Sequence, residues 1–142
     1  MIAPSTAGAN TKWFDEFFAE CLLLNCRIDY LNTHIYGGTV DEKMAKLKAY
    51  SERYGNKKIW LTEFAVSKEG NEDEIVKHVE ELLPRLEKAD FIEKYAWWYT
   101  RYYEDHDHSG NFWLDSYNSL LQEDGPFLTK VGEAYNKPWH LI

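Results

Sequence analysis

Three short apolar runs, set apart by longer stretches of helical periodicity, constrain this chain more than any other feature. Arg27–Tyr36, Ile59–Ala65 and Phe91–Tyr99 are rich in β-branched and aromatic residues and read as strands. They recur at intervals of about 30 residues, the length of one βαβ unit. Before the first run, Trp13, Phe14, Phe17, Phe18, Cys21 and Leu22 form an apolar stripe at helical period. Val40, Met44, Leu47, Tyr50 and Tyr54 do the same after it, and Ile75, Val76, Val79, Leu82, Leu83 and Leu86 after the second. Strands that alternate with amphipathic helices pair in parallel, which makes this an α/β fold. An extended stub, Met1–Pro4, and a short final helix over Thr129–Tyr135 bring the count to four β/α units.

The helix ends are written locally. Thr39 with Glu42, and Asn71 with Glu74, have the capping-box spacing. Asn25 and Gly55 are stops. Asp15 and Glu16 are expected in the first turn of the first helix, where its dipole favours anions, and Pro84 is expected to kink the third helix near its end.

At 142 residues the chain has room for one domain, taking about 150 residues as typical. It is too short for a complete eight-unit α/β barrel, which needs about 250. A formal charge of −8 repels polyanions and no basic patch opposes it, so no nucleic-acid partner is expected; Lys57-Lys58 reads as a solvated turn. No apolar run approaches the roughly 18 residues of a membrane span. No signal peptide is expected in the chain as given. Cys21 and Cys26, without a second pair at matching spacing, are a poor zinc site and leave two readings, a buried free thiol with a neighbour or a local disulfide.

In parallel α/β folds chemistry gathers at the carboxyl ends of the strands. Here those ends hold Asn32, His34 and Tyr36, then Thr62-Glu63-Phe64, then Trp97, Trp98 and Tyr99. One carboxylate, one imidazole and several flat aromatic faces suit a sugar, whose C–H surfaces pack on rings while its hydroxyls take hydrogen bonds. By alternation His34 shares a face with Tyr30, Asn32 and Tyr36, and Glu63 shares one with Ile59 and Leu61. Trp97 and Trp98 face opposite ways, so one of them is expected to pack against helices. Glu104–His108 (EDHDH) alternates acidic and imidazole groups, and reads either as a solvated loop or as a metal site.

The stretches Ile28–Tyr36 (IDYLNTHIY), Ile59–Ala65 (IWLTEFA) and Tyr95-Ala96-Trp97 together resemble glycoside hydrolase family 128, the alkali-sensitive-linkage-protein-like glycosyl hydrolase catalytic core. The opening APS with its Trp13/Phe17/Cys21 helix fits the same pattern. So does the closing run from Ser119-Leu120-Leu121 through Gly125, Thr129, Gly132 and Tyr135. The resemblance implies a (β/α)8 barrel that cleaves β-1,3-glucan with retention; no cofactor or metal is expected. It implies Glu63 as the nucleophile, with His34 and Tyr36 lining the site near the scissile sugar and Trp97 as an aromatic floor; Asn32 and Tyr99, at the same strand ends, are expected to bind substrate beside them. The family's acid/base Glu follows an Asn on the fourth strand, and this chain matches from about the fifth. Its one Asn-Glu pair, Asn71-Glu72, is a helix start.

The expectation is therefore the C-terminal half of a barrel, strands five to eight, truncated at its N-terminus, with the nucleophile present and the acid/base absent. Two exposed sheet edges then invite self-association. The partner is a β-glucan polysaccharide or oligosaccharide, and a secreted or cell-wall location is expected of the full-length parent. The alternative is a non-catalytic carbohydrate-binding or assembly module on the same half barrel.

Overall fold

A computed structural model describes residues 1–6, 8, 10–66, 71–103, 114 and 116–141. Strands β1 (Leu31–Ile35), β2 (Ile59–Phe64) and β3 (Ile92–Trp97) form one parallel sheet in the order β1-β2-β3. The stub lies beside it, with Ile2 bridged in parallel to Tyr30 and Ala3 N donating to the Tyr30 carbonyl at 2.9 Å. Helices α1 (Thr11–Leu23), α2 (Val40–Arg53), α3 (Glu72–Lys88) and α4 (Lys130–Tyr135) follow the expected order, with 3-10 turns at Ser116–Asn118 and Trp139–Leu141. Among the described residues no helix is long and apolar enough to cross a membrane.

Local sequence explains the helix boundaries. Both expected capping boxes form, Thr39 with Glu42 and Asn71 with Glu74. Asn25 and Gly55 take the left-handed conformation, at φ 53° and 79°, just past their helices. One expectation changes. The cap of α1 is Asn10, whose side chain accepts from Trp13 N, so Asp15 falls beyond the first turn. Instead of meeting the helix dipole, Asp15 accepts from Arg53 and Tyr54 and ties α1 to α2. Pro84 lies inside α3, four residues before its end at Lys88.

The core lies between the sheet and its helices. Leu31, Ile35, Ile59, Leu61, Phe64 and Trp97 supply the strand side, and Leu47, Tyr50, Ile75, Val79, Leu83 and Leu86 the helix side. At about 25 cal/mol per Å2 of apolar surface, this layer is the main source of stability. Phe14 joins α1 to α2, with its ring 5.2 Å from Tyr50 and 5.9 Å from Tyr54. Cys21 and Cys26 are free thiols across the α1 C-cap, and the Cys21 thiol is pushed up to about 11, first by its hydrogen bond with Cys26 and then by burial.

Two polar or small residues inside this layer have measurable consequences. His78 of α3 has a buried Nε2 without a hydrogen-bond partner among the described residues. Burial, and secondarily Lys43, lowers it to about 4. The native state thus keeps His78 neutral while the unfolded chain protonates it near 6.5. Stability should fall as pH drops from about 6.5 to about 4, and urea titrations of His78→Gln should show a flatter slope across that window. Gly132 packs so closely that a Cβ would meet the Leu120 carbonyl oxygen at 2.0 Å. Gly132→Ala should cost at least 1–3 kcal/mol, roughly, read as a lower urea midpoint at unchanged slope.

Candidate active site

Asn32, His34 and Tyr36 alternate along β1 and its exit on the face opposite the helices, because Leu31, Thr33 and Ile35 are the residues turned into the core. On β2 the alternation breaks. Thr33 pairs with Leu61 while the next residue, His34, pairs with Glu63, so Thr62 is an extra residue. This bulge puts both Thr62 and Glu63 toward the β1 side chains, and Phe64 returns to the core with Ile59 and Leu61. The expected shared face of Glu63 with Ile59 and Leu61 is thereby corrected: strict alternation would have sent the carboxylate under the helices.

The contacts follow from that turn. The Thr62 hydroxyl donates to Asn32 Oδ1 at 2.6 Å. Tyr36 Oη donates to Glu63 Oε2 at 2.5 Å, and His34 Nδ1 lies 3.2 Å from the same oxygen. His34 and Glu63 remain 22% and 29% exposed, open enough to meet a ligand. Burial first, and then the bond to the carboxylate, holds the Tyr36 phenol well above its usual range, so it stays a donor. Both neighbours address Oε2. The arrangement presents an oriented carboxylate at a strand end, a group able to act as nucleophile or base.

Trp97 sits elsewhere. It is 6% exposed, its Nε1 donates to the Asn118 carbonyl at 2.7 Å, and its ring lies edge-on to Phe64 at 5.2 Å. Strand parity is the reason, and the structure replaces the expected aromatic floor with a core residue. Trp98, of opposite parity, is 41% exposed and joined to Tyr99 by a cis peptide. Tyr99 stacks on Tyr102 with centroids 5.7 Å apart. Asn32, His34, Tyr36 and Glu63 are thus brought together. Trp60 lies further down the same face, near Tyr30 and under the Lys94 ammonium at 4.7 Å. Glu104–His108 lies outside the described residues; among those described, no three His, Cys, Asp or Glu side chains cluster to hold a metal.

The family model for the glycosyl hydrolase catalytic core matches residues 1–135. The chain belongs to that family. Among solved structures it is similar to a family 128 (subgroup II) endo-β-1,3-glucanase from Sorangium cellulosum, with 30% identity and a TM-score of 0.76 over 94% of this chain and 53% of that one. It is also similar to a subgroup IV endo-β-1,3-glucanase from Lentinula edodes, with 20% identity and a TM-score of 0.81 over 94% of this chain and 55% of that one. A third is a subgroup I endo-β-1,3-glucanase from Amycolatopsis mediterranei in complex with laminarihexaose, at 23% identity and a TM-score of 0.73, over 94% and 56% of the two chains. The resemblance to family 128 read from the sequence therefore holds. The chain spans little more than half the length of these structures. No curated protein matches it.

Within this family member, two residues that the motif reading passed over hold the strand ends. Asn118, fully buried, accepts from Val66 N through Oδ1 at 3.1 Å while its carbonyl takes the Trp97 indole. Its distance from Val66 in sequence gave no local signal. Lys43 was legible in principle, since a lysine occupies a buried position on a stripe with Val40, Leu47 and Tyr50. Asn118→Ala strands the Val66 N–H and should cost about 1–3 kcal/mol, with faster amide exchange at Val66 as its local signature.

Proposed function

We propose that the chain is the C-terminal half of a (β/α)8 barrel, one domain over residues 1–142, from a retaining hydrolase of β-1,3-glucan. Glu63 is its nucleophile: it attacks the anomeric carbon, the glycosidic oxygen leaves with a proton from an acid, and water later releases the glycosyl-enzyme. Asn32, His34 and Tyr36 bind the sugar beside it, with Tyr99 at the rim. The observation that carries this reading is the carboxylate at the end of β2, oriented through Oε2 by Tyr36 and His34 on the open face of the sheet.

The neighbouring strands end in His34-Ile35-Tyr36 and Ala96-Trp97-Trp98, without a second carboxylate. Retention requires two, about 5–5.5 Å apart. In the Amycolatopsis enzyme, replacement of either of two different glutamates accompanies its laminari-oligosaccharide complexes, in keeping with a two-carboxylate reaction. The acid/base would come from the half of the barrel that covers the open face. Leu22, Leu23 and Leu24, exposed at 83%, 80% and 74% at the end of α1, are further apolar surface suited to such a cover.

The lack of a second carboxylate at the neighbouring strand ends also favours a second reading for the chain by itself, a β-glucan-binding module. Joined to upstream β/α units bearing the acid/base, the protein should hydrolyse laminarin, and Glu63→Gln should lower kcat by at least about 10³-fold. Undiminished activity in that variant would overturn the nucleophile assignment. Calorimetry of the 142-residue chain with laminari-oligosaccharides reads the binding module, which silence at millimolar ligand excludes.

A further inference from the structure

Lys43 is 1% exposed on the core side of α2. Its ammonium donates to the carbonyls of Gly37 at 2.5 Å and Ala65 at 3.3 Å. Gly37 directly follows Tyr36, and Ala65 comes two residues after Glu63. The exits of β1 and β2 are therefore joined twice, on the open face by the Tyr36–Glu63 hydrogen bond and beneath it by one ammonium. Gly37 adopts φ 57° and Gly38 φ 75°, a left-handed turn that brings the Gly37 carbonyl to the lysine.

An ammonium in this place is an expensive filler. Charged groups out of water are costly unless paired, and no carboxylate pairs with Lys43 among the described residues. A methionine would fill the same volume without desolvating a charge. What the lysine supplies and methionine cannot is the pair of charge-assisted bonds to two strand exits. The charged and titratable groups around it are Glu42 and Lys46 on α2 and His78 on α3. Glu42 is engaged with Thr39 N at 2.8 Å in the helix cap. Burial, and then Lys46, lowers the Lys43 ammonium to about 8, with Glu42 opposing.

We infer that Lys43 is a positioning residue for Glu63: by binding the Gly37 and Ala65 carbonyls together it holds the Tyr36 hydroxyl on the Glu63 carboxylate. Loss of its proton weakens both carbonyl bonds and loosens that hydroxyl. Its value to catalysis rests on Glu63 being the nucleophile; the linkage itself does not.

The test reads Tyr36 directly, without an activity assay, so its outcome is separable from the nucleophile assignment. In protein labelled with [13Cζ]tyrosine and [13Cε]lysine, Tyr36→Phe and Lys43→Met identify the two resonances. Between pH 6.5 and 9.5 the Tyr36 signal should move with the same midpoint as Lys43, near 8. Lys43→Met, with circular dichroism showing it folded, should abolish that step and leave the signal displaced at every pH. Lys43→Arg should hold the signal at its pH 6.5 position throughout. A Tyr36 resonance that stays still while Lys43 titrates in the wild type overturns the proposal, and needs no variant to fold. So does a step that survives in Lys43→Met.

Discussion

One extra residue in β2 decides what this sheet can do. Thr62 has no partner of its own in the β1 register, and its insertion rotates the strand so that Glu63 leaves the core side. Everything at the candidate site depends on that rotation. His34 and Tyr36 reach the carboxylate because β1 keeps its alternation while β2 breaks step beside it. The three residues after Glu63 are then fastened by three separate parts of the chain. Phe64 O accepts from Trp98 N, Ala65 O from Lys43, and Val66 N donates to Asn118. A strand end gripped in this way holds its last side chains with little local freedom, which suits a group that has to meet a reacting atom within a fraction of an ångström.

The fold was legible because its signals are local. Periodic apolar positions, two capping boxes and the stops at Asn25 and Gly55 each speak within a few residues, and helices and strands arose where those patterns lie. The start of α1 was misjudged because Trp13 opens the apolar stripe while Asn10, three residues earlier, does the capping. The site was legible in part. Motif and strand-end position single out Glu63, but alternation puts it in phase with Ile59 and Leu61, since a bulge depends on pairing between strands that no single run of residues encodes. The Tyr95-Ala96-Trp97 run puts Trp97 at the rim, and the core claims it because Phe64 and Asn118 lie on its side of β3. Asn118 lies 52 positions from its bonding partner, beyond the reach of any local rule.

Family membership and physical reading meet at one strand end. The glycosyl hydrolase catalytic core family supplies the architecture, and the similar solved structures extend well past this chain's span. Among the described residues the chain forms a parallel sheet with helices packed on one face and polar groups on the other. Polar and aromatic groups line that face among the described residues, from Trp60 at one end to Glu63 at the other.

The two oxygens of the Glu63 carboxylate are identical in an isolated side chain, but Tyr36 and His34 both address Oε2. That makes a symmetric group handed: among the described residues one oxygen is committed to the scaffold and the other is not. Since both neighbours come from β1, the way the carboxylate is turned is set by a strand other than the one that carries it.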